Sequence, residues 1–206
     1  LGRVNTGSVA QRLADTPGVA RTILDAARAA RGMPGADPRA MSHSWLFTGP
    51  PGSGRSLAAL DFAAALMCTD PEEPGCGRCE ACQAVLDAKQ HTDLVLVDPQ
   101  EVIIPVDTVR EVIGRAASLP TVAPWRVVIF NNADRLNNNG ANALLKTVEE
   151  PPARTVIIMC APSDAPEDFS QTLRSRCRHL YIPSPSVESI TAQLVSEGAS
   201  DHDAHL

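Results

Sequence analysis

The chain has 206 residues, enough to bury a full core in one domain with the start of a second, and its 44% apolar and 20% charged residues are ordinary for a soluble globular protein. Aromatic residues make only 3%, so the core must be aliphatic and alanine-rich. The net charge of -6 argues against a free-standing nucleic-acid binder, which would show a basic face, but leaves room for one local basic patch or for DNA contact shared across an assembly.

No apolar run approaches the ~20 residues that span a membrane. Residues 1–15 lack the basic-then-apolar layout of a signal peptide. A cytoplasmic protein with no membrane partner is expected. Residues 1–18 show no strong period and read as an irregular lead-in. Val19 to Arg31 is alanine-rich with Ile23, Ala26, Ala27 and Ala30 at helical spacing, which predicts a helix. Gly32 to Ser42 contains two prolines and two glycines and reads as a loop. Ser44 to Thr48 is a short strand, and a glycine-rich turn follows it directly. Ser56 to Met67 is strongly helical. Leu94 to Val97 is a second strand. Val102 to Ile104 reads as an edge strand before a helix over Val106 to Ser118. Arg126 to Asn131 is the third main strand, a helix over Asn139 to Glu149 follows, and Thr155 to Cys160 is an unbroken apolar run of the kind found in a parallel sheet covered on both faces. Leu173 to Cys177 forms a short helix or turn, and Leu180 to Ile182 a last strand. Pro183 and Pro185 mark a boundary, Val187 to Glu197 reads as the first helix of a further domain, and Gly198 to Leu206 as a polar, disordered tail. The domain division is therefore 1–183 and 184–206. Strands alternating with helices define an α/β sandwich with a parallel sheet.

The turn after the first strand, Gly49-Pro50-Pro51-Gly52-Ser53-Gly54-Arg55-Ser56, fits the phosphate-loop pattern G-x-x-x-x-G-K-[ST] except at Arg55. Such a loop converges backbone N–H groups and a helix N-terminus on an anion, and Gly49, Gly52 and Gly54 keep the backbone freedom it needs. Ser56 retains a hydroxyl that could ligate Mg²⁺. Arg55 is longer and forked where a lysine would be a compact point charge, so the exchange is not conservative. The strand ending at Phe130 runs into Asn131-Asn132, where hydrolysis needs one acid to hold Mg²⁺ and another to activate water. Asp134 lies three residues past the Mg²⁺ position. Gly49, Gly52, Ser53, Gly54, Arg55 and Ser56 thus form a degenerate loop. The expectation is weak or absent ATP or ADP binding and no hydrolysis by this chain alone.

Cys68, Cys76, Cys79 and Cys82 stand at metal-ligand spacing, with Gly75 and Gly77 easing the turns. Four thiolates suit a closed, structural Zn²⁺ site. Free thiols, an iron–sulfur cluster and a redox pair are the alternatives. Cys160 and Cys177 read as small buried or turn residues, and His91, without a second histidine at ligand spacing, as a loop hydrogen-bonding residue. Lys146, Glu149 and Glu150 are spaced for ordinary helix salt bridges and receive no catalytic role. Arg176, in the polar turn Ser175-Arg176-Cys177, judged alone would be a surface residue paired with an acid.

Taken together, these residues resemble the δ′ subunits of the bacterial DNA polymerase III clamp loader, within the AAA+ superfamily. The resemblance runs from about residue 43 to 185. It is carried by the strand and loop over 43–56, the four-cysteine module, His91-Thr92-Asp93, Ile104 to Arg110, Asn142 to Pro152, and Leu173 to Arg178. It implies an AAA+ P-loop NTPase-type α/β/α sandwich with an inserted four-cysteine zinc module and the start of a helical lid. It implies a non-hydrolysing stator that inserts Arg176, as an arginine finger, into the ATP site of a neighbouring γ/τ motor subunit. The assembly would include δ and would load a sliding clamp on primer–template DNA. The collar domain of such subunits falls outside these residues, so the chain is expected to be either a fragment or an isolated first domain. Two rival readings are an active, γ/τ-like ATPase motor and a zinc-dependent interaction module with the α/β body as scaffold.

Overall fold

A computed structural model describes residues 7–187 and Thr191. Its framework is a five-stranded, all-parallel sheet of β1 (Ser44–Thr48), β2 (Leu94–Val97), β3 (Arg126–Phe130), β4 (Thr155–Ala161) and β5 (Arg178–Tyr181), in the order β2-β3-β4-β1-β5. Every residue of β1, β3 and β4 is buried, the polar ends Ser44, Thr48, Arg126 and Thr155 included, as in a parallel sheet covered on both faces. Side chains alternate between two cores. Trp45, Phe47, Val127, Ile129, Val156, Ile158 and Cys160 face one layer, and Leu46, Val128, Phe130, Ile157 and Met159 the other.

The first layer is built by α1 (Val9–Arg12), α2 (Pro17–Ala30), α3 (Arg55–Met67) and α4 (Glu80–Leu86). Helix α3 is buried from Ala58 to Met67 without a break, the pattern of a central helix. Its Phe62 packs edge-on against Trp45, with ring centroids 5.1 Å apart. The second layer holds α5 (Val106–Ala116), α6 (Asn138–Glu149) and the single turn α7 (Gln171–Arg174).

One polar network is buried with them. Asp93, fully buried, accepts from the backbone N–H of Thr121 (2.8 Å), Val122 (2.7 Å) and Ala123 (2.8 Å), and from Arg126 Nη2 (3.0 Å). Arg126 Nη1 in turn donates to the carbonyls of Arg115 and Ser118, closing the C-terminal end of α5. Burial alone would raise the Asp93 carboxyl, but these donors hold it well below the usual carboxylate range.

Three expectations need correction, and one helix is added to them. The lead-in is ordered from residue 7: Ser8 and Gln11 form a reciprocal capping box on α1, and Pro17 opens α2 at a position where its missing N–H costs nothing. The cysteine module carries a helix, α4. Val102 to Ile104 is not a strand: Ile104 makes one bridge to Leu136, while Pro105, which has no N–H, leads straight into α5. The last strand begins at Arg178, whose guanidinium lies 4.9 Å from the Trp45 ring centroid. The helix expected over Val187 to Glu197 lies, apart from Val187 and Thr191, outside the described residues, as does the tail from Gly198.

Candidate nucleotide loop, metal centre and exposed arginine

The phosphate-loop frame folds as its glycines require. Gly49 leaves β1 so tightly that a Cβ there would lie 2.4 Å from the Ile182 carbonyl oxygen and 2.5 Å from Ser53 Oγ. Gly54 sits at φ +81°, the left-handed position preceding the first turn of α3, whose amide N–H groups point back at the loop. A cavity of about 300 Å³ adjoins it, lined by Arg12, Leu13, Ser53, Gly54, Leu57 and Asp61 among others. Asp61 is buried on α3 and accepts from Arg12 Nε at 2.5 Å, so α1 forms one wall of the cavity.

Arg55 does not point out of the loop as a phosphate-binding cation would. Its Nη1 donates to the Gly49 carbonyl at 2.7 Å, turning the charge onto the loop's own backbone. An incoming phosphate would have to displace that bond. Ser53 Oγ, Arg55 Nε and Asn131 Oδ1 are buried with no hydrogen-bond partner among the described residues. Asn131 follows β3, its N–H donating to Val97 O at 2.8 Å, and Asn132 takes a left-handed turn at φ 53°, a conformation asparagine tolerates. Neither supplies a carboxylate, and Asp134 lies exposed in the turn beyond. Ser56 is half-buried in the first turn of α3.

The four cysteines converge. The Sγ atoms of Cys68, Cys76, Cys79 and Cys82 lie within 4.8 Å of one another, and Cys79 and Cys68 are 3.9 Å apart. Tetrahedral Zn–S bonds of ~2.3 Å put sulfurs ~3.8 Å apart, so the set fits a four-thiolate metal ion, consistent with zinc. Backbone N–H groups point at the sulfurs, from Cys79 to Cys76, from Cys82 to Cys79, and from Asp70 to Cys68, each at 3.4 Å. The Cys68 thiol is lowered to about 4, first by the hydrogen bond it accepts from Cys82, whose own proton is correspondingly held more tightly. The module rests on α3 through Cys82 Sγ and Ala64 O, and on the N-terminal segment. Val9 N–H donates to Gly75 O at 2.8 Å, and a Cβ on Gly77 would sit 2.0 Å from the Gly7 carbonyl. Cys160 and Cys177 stand outside the cluster; burial pushes both thiols up to about 12. His91 Nδ1 accepts from the Asp93 N–H at 3.1 Å, a loop bond and not a ligand position.

Arg176 is exposed in the turn that ends α7. Its Nε donates to Glu149 Oε1 at 2.5 Å, and Nη1 to Thr172 O at 2.7 Å and Ser175 Oγ at 3.1 Å. The sheet register fixes where this lies. Arg178, the first residue of β5, pairs with Trp45 near the start of β1, whereas the phosphate loop follows the end of β1. Four steps of parallel strand separate the two ends, about 13 Å of rise, so Arg176 lies at the opposite end of the sheet from the chain's own loop. The salt bridge expected between Lys146 and Glu149 or Glu150 is absent among the described residues; Glu149 is taken instead by Arg176, a partner 27 positions away. Sequence reasoning missed this pair, which no local spacing signals. It also missed the Arg12–Asp61 wall, for which the Ser8 to Gln11 capping pattern was the available cue.

An all-parallel sheet in this order, with a phosphate loop between its fourth-positioned strand β1 and α3, defines an AAA+-type P-loop domain. The fold is shared with the RuvB Holliday junction branch migration motor of Thermotoga maritima, at a TM-score of 0.51 and 16% identity over 92% of this chain and 54% of that one. The family model described as DNA polymerase III, delta subunit, matches residues 36–186. A DNA polymerase III subunit delta′ of Pseudomonas aeruginosa is 36% identical over 165 residues, covering 77% of this chain and 49% of the relative. A subunit gamma/tau of Mycobacterium tuberculosis H37Rv is 33% identical over 174 residues, 82% of this chain and 30% of the relative. The chain belongs to the DNA polymerase III delta-subunit family, as its sequence resemblance implied. It spans about half the length of the delta′ relatives it matches. No described helix is long and apolar enough to cross a membrane.

Proposed function

We propose that this chain is the AAA+ domain of a non-hydrolysing δ′ stator in the DNA polymerase III clamp loader, acting in the cytoplasm. It donates Arg176 to the ATP site of an adjacent γ/τ motor subunit. With δ and the motor subunits, the assembly opens a sliding clamp and sets it on primer–template DNA, which this chain meets only through the complex. The cysteine module binds a structural Zn²⁺, and the degenerate loop binds ATP or ADP weakly or not at all. Residues 1–183 form the nucleotide-binding-type domain, and 184–206 lead into the lid.

The observation that carries this reading is the position of Arg176: exposed, and at the far end of the sheet from its own loop. A guanidinium so placed cannot reach a phosphate in its own loop, and is free to meet one bound to a neighbouring subunit. There it would stabilise charge developing on the γ-phosphate as the bond to the leaving group breaks, a contribution of ~10³–10⁵ in rate for such arginines. The loop end supports the same division, since Arg55 is spent on Gly49 O and both acids are asparagines. An active γ/τ-like motor is the alternative that the γ/τ relatives and Ser56 leave open, but it lacks the carboxylates that hydrolysis needs.

The test reconstitutes the clamp loader from full-length subunits and compares DNA-stimulated ATP turnover with wild-type and Arg176→Ala chains. A large loss with assembly intact is expected. Unchanged turnover removes Arg176 from the mechanism, and hydrolysis by this chain alone, lost on Ser56→Ala, would establish the motor reading in its place.

A further inference from the structure

The turn that carries Arg176 is fixed from below. Leu173 is fully buried, and the N–H groups of Arg176 and Cys177 donate to Leu173 O (3.0 Å) and Arg174 O (3.1 Å), so the backbone closes tightly on the end of α7. Two of the side chain's three bonds, to Thr172 O and Ser175 Oγ, come from the same turn and hold only Nη1. The third, from Nε to Glu149, is its one tie to another element among the described residues.

Glu149 is an odd residue where it stands. It is the last residue of α6, and Glu150 follows it at the cap, so two carboxylates sit at the helix end where the backbone dipole disfavours negative charge. Lys146, one turn earlier, does not pair with either among the described residues. The contact with Arg176 contributes little to the fold, because both side chains are substantially exposed, at 36% and 46%. An arrangement that breaks a local rule without a gain in stability points to function.

We infer that Glu149 is a positioning residue for Arg176. It holds Nε, which together with the Nη1 contacts removes the rotational freedom of a long side chain and leaves the Nη2 edge, which makes no hydrogen bond among the described residues, to meet an anionic oxygen on the adjoining chain. A finger already fixed loses little entropy when it engages, and the benefit falls on the chemical step, where charge develops, more than on ATP binding. The inference rests on the proposed role of Arg176 and adds the residue that sets its geometry.

The experiment measures kcat and KM for ATP in the reconstituted complex of full-length subunits, with assembly followed by gel filtration. Glu149→Ala is expected to lower kcat about tenfold with KM changed less than about twofold. Glu149→Gln, whose Oε1 still accepts from Nε, should recover much of that loss. The double variant Glu149→Ala/Arg176→Ala should be no slower than Arg176→Ala alone, since Glu149 acts through the arginine. If Arg176→Ala slows turnover but Glu149→Ala leaves kcat unchanged, the inference fails while the finger stands; a raised kcat would mean that the pair restrains the finger. A double variant slower than Arg176→Ala, or a loss that follows loss of assembly, also overturns it. If Arg176→Ala has no effect, the finger reading fails and takes this one with it.

Discussion

Replacing Asp93 with alanine should be the most damaging single change to this domain away from its sites. The carboxylate is fully buried and gathers three backbone N–H groups of residues 121–123 and the guanidinium of Arg126, itself only 8% exposed. Alanine would strand these donors and the Thr121 hydroxyl, which also donates to Asp93 Oδ1 at 3.2 Å. Breaking a buried ion pair from one side costs about 3–5 kcal/mol, because the remaining charge has no compensation. For a domain of this size that is a drop in Tm of roughly 6–20 °C. Urea unfolding followed by circular dichroism measures it directly. The same carboxylate dictates a pH dependence. Its folded pKa lies below the ordinary 3.8, so its contribution is fully present above about pH 4 and disappears as pH falls through the folded value. The wild-type chain should therefore lose stability below pH 4 more steeply than Asp93→Asn, which has no proton to take up. A loss under about 1 kcal/mol for Asp93→Ala, or parallel acid profiles for wild type and Asp93→Asn, would refute the reasoning.

The sites carry further expected outcomes. The purified chain should contain one zinc per molecule by elemental analysis, and chelation should speed amide hydrogen exchange over residues 7–13, which rest on Gly75 and Gly77; Gly77→Ala, whose Cβ would meet the Gly7 carbonyl at 2.0 Å and which stands at φ +71°, should loosen the same segment with the metal still bound. Arg55→Lys frees the Gly49 carbonyl and restores a compact charge, so calorimetry should detect tighter ATP binding than in wild type, still without turnover while Asn131 and Asn132 remain.

The sheet was legible in the sequence because its strands are buried on both faces. Runs such as Val127 to Phe130 and Val156 to Cys160 are short and rich in β-branched residues, which favours buried strands over helix, and the glycines at 49, 52 and 54 place the loop between strand and helix. Where polar residues make an element, the apolar pattern gave no signal. Arg178 and His179 open β5 at the sheet edge, and α4 is capped by the sulfur of Cys79 instead of an oxygen side chain. Val102 and Ile103 misled in the opposite direction: they are apolar yet 83% and 52% exposed, beside a proline that ends any pairing. The four cysteines were legible because metal spacing is local. The Glu149–Arg176 pair was not, because a helix end and a turn 27 residues on meet only through the fold, and the nearer Lys146 offered a local answer that the tertiary contact overrides.

The degenerate loop and the exposed arginine are joined by more than family likeness. Gly49 has no side chain, which lets the Ile182 carbonyl close against the loop, and the Ile182 N–H donates to Thr48 O at 2.7 Å just before it. These contacts pin the end of β5 to the end of β1. The start of β5 is Arg178, held over Trp45 and donating to the Ala40 carbonyl at 2.6 Å, two residues from Arg176. A loop that has turned its cation inward can thus still serve as the anchor for the strand whose far end presents the arginine. Hydrolysis needs charges at the loop; anchoring needs only its glycines and its backbone. On this argument the glycine frame has a structural use that does not depend on nucleotide, and its presence in the chain is no evidence for an active ATP site.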